Sequence, residues 1–352
     1  MKPDPRSEAV EIVCLTTLQN NIPFLPEWER LAEENIFLSP LWLKHVEWEY
    51  ALRGARLYLA AEGGTLRGVL PLRRRDGGML IGLGYPHGDY GGLLLARDDN
   101  EKMAETAALL VRQAFADTRL PRLRLSNLPA GFDSTRALLA GCKNAGLRLE
   151  EKNAGDSFVL PCGADFETVY SSLRDSKSRY NLRRAWKQLE KNGAVTFAEA
   201  EKDTEIRETL SALFSFHRAR WGQESKYHRA EECSFAEAVA LDLAREKKLA
   251  LYALRLDGKI VAAQFGFRAG SRHYYYNVGY DESVAGFSPG SLLLRETLRC
   301  CCEEGMTVMD LLRGREQYKL DWNATPALLA TVTLYNPFSV AGKILGWWKA
   351  HS

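Results

Sequence analysis

Apolar positions along the chain switch between a period of two and a period near 3.6, and each switch marks an element. In the first half, EIVCL at residues 11–15 reads as a strand, and helical pieces follow around residues 26–34 and 40–50. The run LYLAAEGGTLRGVLPL, broken at Glu62-Gly63-Gly64-Thr65, predicts a hairpin over residues 56–74. A strand at 79–83, a glycine-rich loop at 84–92, a helix over about 101–117 and a strand from Pro121 come next. Residues 133–144 predict another helix, stopped near Gly146, with short strands beyond it.

The second half opens on a helical stretch, 165–192, with a break at Asp175 and Ser176. Its later part carries Arg179, Arg183, Arg184, Lys187 and Lys191, which read as a solvated face or as a clamp on a phosphorylated ligand. No stacking aromatics or reading motif accompany that charge, so nucleic acid is not indicated. Residues 205–221 place Ile206, Leu210, Leu213, Phe214, His217 and Trp221 on one helical face. His217 is then either a core histidine or a group at a cleft edge. Ser234 and Glu237 form a capping box that should open a helix reaching Lys248. LALYALRL and IVAAQFGF flank Asp257-Gly258 as a second hairpin, and the tyrosine-rich run 272–278 is a further strand. A helix is expected from Ser288-Pro289, with Ser288 as N-cap, Pro289 in the first turn and Gly305 as C-terminal stop. Strands at 307–312 and 328–334 follow. The amphipathic stretch 340–348 is expected to dock on the protein, with at most peripheral membrane contact.

The two halves repeat one order: hairpin, strand, glycine-containing loop, helix, strand. This predicts an α/β fold with mixed sheets, built of two related halves at 1–160 and 161–352. They differ at the loop-to-helix junction. The first half has Asp98, Asp99 and Glu101 where the helix dipole is positive, which repels an anion. The second has Ser288-Pro289-Gly290, where the N–H groups of Gly290, Ser291 and Leu292 are expected to lie open as a phosphate site.

Composition narrows the class. Net charge is +2 over 352 residues, with 46% hydrophobic and 26% charged, so no global field draws the chain to nucleic acid or anionic membrane. Seven cysteines, three of them adjacent at 300–302, fit neither a disulfide framework nor a zinc site, and suggest reduced thiols and a cytoplasmic location. No metal is expected. No apolar run approaches the roughly 20 residues of a membrane span, and the first residues lack a signal-peptide pattern.

Several segments carry a resemblance: FLSPLW at Phe37, HGDYGG at His87, SLRDSKSRYNLRRAWKQLEKNG at Ser172, FHRARWG at Phe216, GKIVAAQFGF at Gly258, YYYNVGYDESVAGFSPGSLLL at Tyr274 and MDLLRGREQYKLDW at Met309. Together they resemble the Gcn5-related N-acetyltransferase (GNAT) superfamily, and within it the FemAB-like proteins with two GNAT halves, which include a cellulose-biosynthesis-associated group. Where the common GNAT loop has a basic or Gln residue and two spaced glycines, this chain has Phe287-Ser288-Pro289-Gly290-Ser291. The resemblance implies acyl transfer from acyl-CoA (acetyl-CoA) to an amine or hydroxyl of a small-molecule or lipid-linked saccharide acceptor. Related branches imply an aminoacyl-tRNA donor or a silent partner of exopolysaccharide machinery as alternatives.

Under that reading Ser288, Pro289, Gly290, Ser291, Leu292 and Tyr276 hold the donor. Asp310 and Glu316 are candidate bases. Asp310 ends an apolar strand and equally fits a pair with Arg313 or Arg315. Tyr318 is a candidate acid. Arg313 and Lys319 would grip an acidic acceptor, Asp281 would order the loop before Ser288, and Asp89, Tyr90, His217 and Trp221 would line the acceptor side of a cleft between the halves.

Overall fold

The structure, a computed structural model, describes residues 9–18, 22–50 and 54–348. The chain runs β1 (Glu11–Leu15), α1 (Leu25–Leu31), α2 (Pro40–Glu49), β2 (Ala55–Glu62), β3 (Thr65–Arg75), β4 (Met79–Gly82), β5 (Leu94–Leu95), α3 (Asn100–Thr118), β6 (Arg122–Pro129), α4 (Asp133–Asn144) and β7 (Arg148–Pro161). It continues α5 (Phe166–Leu173), α6 (Ser176–Glu190), β8 (Val195–Glu199), α7 (Asp203–Trp221), α8 (Ala230–Arg245), β9 (Leu249–Leu256), β10 (Lys259–Ala269) and β11 (Arg272–Tyr280). Last come α9 (Pro289–Glu303), β12 (Val308–Arg313), α10 (Gln317–Asp321), β13 (Thr325–Tyr335) and α11 (Val340–Trp348).

Local chemistry sets most of these boundaries. Asp99, Asp165 and Asp175 each accept the backbone N–H three residues on, at 2.9, 3.0 and 2.6 Å, and start α3, α5 and α6. The break expected at Asp175 is therefore a cap between two helices. Two starts differ from expectation. The helix assigned to Ser234 begins at Ala230, and no side chain caps it. The 3-10 turn Lys226–His228 leads straight into it, which overrides the capping box. Ser288 does precede α9, but in the left-handed region at φ +52°, and its hydroxyl caps nothing.

The chain divides into two compact units, Met1–Gly155 with Ala327–Ser352, and Asp156–Pro326. The C-terminal strand and helix thus belong with the first unit, not with the 161–352 half, because β13 pairs antiparallel with β6 from Leu329↔Pro129 to Tyr335↔Arg122. In the first unit the strand order is β1-β2-β3-β4-β6-β13, with β5 on β3. In the second it is β8-β9-β10-β11-β12-β7. Each order holds a single parallel pair, β4 with β6 and β11 with β12, spanned by one crossover helix, α3 or α9. The repeat read from the sequence is thus a repeat of topology. In both units the strand beside the parallel pair comes from elsewhere in the chain, which no local pattern announces.

In the second unit Leu292, Leu293 and Leu298 of α9 bury with Leu182 and Leu189 of α6 and with Tyr252, Val261, Tyr275 and Met309 of the sheet. Burial of such side chains contributes about 1.5–3 kcal/mol each. On the other face α7 lies so close that a Cβ at Gly279 of β11 would sit 3.1 Å from the Phe216 Cβ. Among the described residues no helix is long and apolar enough to cross a membrane.

Candidate functional site: a forked sheet beside a helix N-terminus

Strands β11 and β12 are parallel for only three pairs, from Arg272↔Val308 to Tyr274↔Asp310. Beyond Tyr274, β11 continues to Tyr280 with no strand partner on that side among the described residues. Asp310 sits at the fork, 1% exposed. One carboxylate oxygen accepts from Arg272 Nη1 at 2.9 Å and the other from the Leu312 N–H at 2.9 Å. That second bond bends β12 at Leu312, where φ is +62°, and the register against β7 jumps from Asp310↔Val159 to Arg313↔Ser157. A left-handed leucine costs about 1–2 kcal/mol, which the buried ion pair and the bond to Leu312 help to offset. Asp310 is thus paired with Arg272. Arg315 instead lies 3.9 Å from Asp156.

A second irregularity faces the fork. Phe265 pairs with Asn277 and Gly266 with Tyr275, so Tyr276 is the extra residue of a β-bulge in β11. The bulge turns the Tyr276 ring away from the α9 core. It packs 5.7 Å from Phe265 and 5.5 Å from Phe267, with Lys226 Nζ 4.7 Å over it.

At the open end of β11 lies the start of α9. The expectation of three open N–H groups needs correction. Those of Ser291 and Leu292 both turn back to the Ser288 carbonyl, at 3.0 and 3.1 Å, because the carbonyl of the residue before a helix accepts its first intrahelical bonds. Gly290 alone of the three keeps an N–H with no acceptor among the described residues. A Cβ at Gly290 would rest 3.5 Å from the Tyr280 ring. Arg220 meets the same ring, with its guanidinium 5.4 Å from the centroid and Nη1 donating to the Tyr280 hydroxyl at 3.2 Å. It also lies 5.7 Å from the Trp221 ring. The helix terminus therefore has a cation, an aromatic wall and one free amide, a set suited to an anion. Asp281 accepts from Ser283 N–H and Oγ and from Lys259 at 2.8 Å, which fixes the turn before Ser288; the Lys259 bond, then Ser283, hold its pKa down at about 2.

Past the fork, α10 brings Glu316, Tyr318 and Lys319 together. Lys319 is 1% exposed, and its ammonium donates to the carbonyls of Leu312, Arg313 and Gly314 at 3.0, 2.7 and 3.1 Å, with Glu316 at 2.9 Å. Its ammonium is thus held between the 312–314 turn and Glu316, an arrangement that shapes the site. Burial, and then the Glu316 carboxylate, raise the Tyr318 pKa, so the phenol stays protonated. Tyr318 also packs against the core cluster that holds Tyr275 of β11 and Met309 of β12. Arg313 is half-buried.

His217 and Trp221 lie on α7 in the same unit, with His217 Nδ1 2.8 Å from Ser225 Oγ. Burial, then Lys226 and Arg220, push the His217 pKa down to about 4. A fully buried His273, beside the buried Gln264, is pushed down to about 3 by burial and Arg268. Both histidines are neutral in the folded chain near pH 7, while an unfolded chain protonates them below about 6.5. The unfolded state then binds more protons, so stability is expected to fall as pH drops from about 6.5 toward 4. Urea midpoints across that range should decline less steeply for His217→Gln, and an unchanged slope would rule out this source.

Asp89 and Tyr90 belong to the first unit. Tyr90 is 2% exposed and packs edge-on against Phe37 and Phe132, which makes it a core residue of that unit instead of an open acceptor contact. At the matching helix start, α3, the Asp99 carboxylate occupies the Lys102 N–H and Asp98 lies 3.9 Å from Lys102 Nζ, so acids fill the place of an anion. Arg220, Arg272 and Lys226 were missed from sequence. Arg220 lies in the FHRARWG segment, one position from Trp221. The role of Arg272 depends on which strand lies beside β11. Cysteine nucleophiles find no support: burial raises Cys142, Cys300 and Cys302 to about 12, 11 and 12. All seven thiols are free, and among the described residues no group of three or more acids, histidines or cysteines could hold a metal.

Residues 176–320, which include the fork, α9 and α10, match the family model of the acetyltransferase (GNAT) domain. No curated protein matches the chain. Among solved structures the chain is similar to FemX, with a TM-score of 0.66 at 11% identity, covering 96% of this chain and 99% of that one. It is also similar to the C-terminal domain of a lysylphosphatidylglycerol synthetase from Agrobacterium fabrum, with a TM-score of 0.58 at 12% identity, covering 92% and 95%. A protein of unknown function from Bacteroides thetaiotaomicron gives 0.57 at 11%, covering 87% and 92%. At such identities the likeness is one of fold. Residues 176–320 of the second unit are thus similar to a GNAT acetyltransferase domain. In fold, the whole chain is similar to FemX and to that synthetase domain.

Proposed function

We propose that the protein is an acyltransferase that moves an acyl group from an acyl-CoA thioester, acetyl-CoA in the simplest case, to an amine or hydroxyl of a saccharide- or envelope-related acceptor. The observation that carries this is the fork: β11 has an open edge from Tyr275 to Tyr280 that leads to the Gly290 amide and Arg220. The open edge offers backbone N–H and C=O groups to the amides of the pantetheine arm, and Gly290 with Arg220 holds the phosphates. Tyr318 donates its proton to the departing thiolate, a role that fits a phenol kept protonated by burial. Glu316, exposed and beside Tyr318, takes the proton that the acceptor nitrogen or oxygen loses as it bonds to the acyl carbon. Asp310 and Lys319 hold the fork open and act through the backbone. His217, neutral and linked to Ser225, faces the acceptor.

Arg220→Ala is expected to weaken acetyl-CoA binding about tenfold, the loss of one charge-assisted contact. Calorimetry on the folded variant checks this, and unchanged affinity would move the phosphates elsewhere.

One observation favours a second reading, transfer from aminoacyl-tRNA. On α6, Lys177, Arg183, Arg184 and Lys187 are exposed, and Tyr180, 58% exposed among them, supplies the stacking aromatic that the sequence pattern did not single out. Transfer of radiolabel from acetyl-CoA or from charged tRNA separates the two donors.

A further inference from the structure

Helix α11 packs the wrong way round for its sequence. Its buried positions are Gly342 and Gly346. A Cβ at Gly342 would lie 2.3 Å from the Asn336 carbonyl oxygen and 2.9 Å from that of Pro121, and one at Gly346 would lie 2.9 Å from Arg148 Cδ. The backbone is thus pressed onto the first unit through its two glycines. The anchor is well built: Ser339 Oγ accepts the Gly342 N–H at 2.9 Å, and the buried Asn336 donates to the carbonyls of Leu120 and Phe115 at 2.8 and 3.3 Å.

Packing through glycines sends the large side chains outward. Val340, Ile344, Trp347 and Trp348 are 76, 55, 59 and 67% exposed, and Phe338 just before the helix is 47% exposed. At helical spacing the four share the face opposite Gly342 and Gly346. A docked helix that shows two tryptophans, an isoleucine and a valine to solvent is not explained by its own fold.

The rim of this face is basic. From Tyr335 to Ser352 the sequence has Lys343 and Lys349 and no acid. Lys343 is exposed on the helix, the Arg112 guanidinium stands 6.0 Å over the Phe338 ring, and Arg148 flanks Gly346. Glu150, an acid beside Tyr335, accepts from the Tyr335 hydroxyl at 3.0 Å and lies 3.3 Å from Lys152. Aromatic and aliphatic side chains on a level with cations match a lipid–water interface, where indoles settle at headgroup depth and cations meet lipid phosphate.

We propose that the outer face of α11 binds the surface of an anionic lipid bilayer and holds the protein there without crossing it. The charge favours anionic lipid over a second copy of the chain, which would bring Lys343, Arg112 and Arg148 against their own equivalents.

The test is cosedimentation of the full chain with vesicles of phosphatidylcholine alone or with one third phosphatidylglycerol. Binding to the anionic vesicles is expected, at least fivefold above neutral ones, and should weaken in 0.5 M salt. The double variant Ile344→Asp, Trp348→Asp should lose at least fivefold of that binding with little change in the urea midpoint, since both side chains are more than half exposed. Lys343→Glu should weaken it to a smaller degree. Absence of binding, equal binding to neutral vesicles, or full binding by the double variant overturns the proposal. So does a concentration-dependent dimer in sedimentation velocity that the double variant abolishes, because the face would then belong to a second copy.

Discussion

Lys319→Met is expected to destabilise the second unit by about 3 kcal/mol, seen as a lower urea midpoint and a melting temperature down by roughly 10 °C. Methionine keeps the length and apolar bulk of the stem but supplies no donor. The carbonyls of Leu312, Arg313 and Gly314 would then lose their shared partner. The buried setting makes that loss expensive, since an unpaired buried polar group costs about 1–3 kcal/mol. Leu312 would also lose support for its left-handed backbone. If Lys319 acted instead on a substrate, the variant would keep its urea midpoint and lose acceptor affinity. A midpoint within about 0.5 kcal/mol of the parent would therefore sink the structural role assigned to it.

Gly290→Asp should have the opposite signature, a loss of donor binding with no loss of fold. A Cβ there makes ordinary van der Waals contact with Tyr280 at 3.5 Å. A carboxylate in the first turn also interacts favourably with the helix dipole, by about 0.3–1 kcal/mol. It would nonetheless stand where a donor phosphate needs the Gly290 amide and Arg220. A fall in acetyl-CoA affinity of about a hundredfold is expected, with a melting temperature equal to the parent or slightly higher. Titration calorimetry and thermal unfolding on one sample read both quantities. Parent-like affinity in a folded Gly290→Asp protein would show that the start of α9 is an ordinary helix terminus.

The helix starts at Asp99, Asp165 and Asp175 were legible because a cap lies within three residues of the group it serves. The two hairpins were legible for the same reason, and so was the repeat. Ser288 shows the limit of such reading. Ser-Pro-Gly correctly announced a helix, but the Ser288 carbonyl takes two of the three expected amides as the helix's first internal bonds. Tyr276 and Lys319 show it again. A bulge set by the pairing of β10 with β11 redirects the tyrosine, and a bend in β12 takes up the lysine.

By itself, then, the sequence determined most of the elements, their repeat, the difference in charge between the two helix starts and a GNAT-like order of strands, while β8 and α10 gave no local signal. Those features depend on neighbours a few residues apart, where the periodicity of apolar side chains and the needs of terminal N–H groups decide. The tertiary structure alone decided that Ala327–Ser352 completes the first unit, that Asp310 pairs with Arg272, that Lys319 donates to backbone carbonyls, and that Arg220 joins Gly290 at the Tyr280 ring. Each depends on which distant strand or helix end lies alongside, and that is chosen by burial summed over a whole unit. The Ser288-Pro289-Gly290 junction remains the centre of the donor proposal, now as one free amide and a guanidinium at the mouth of a forked sheet.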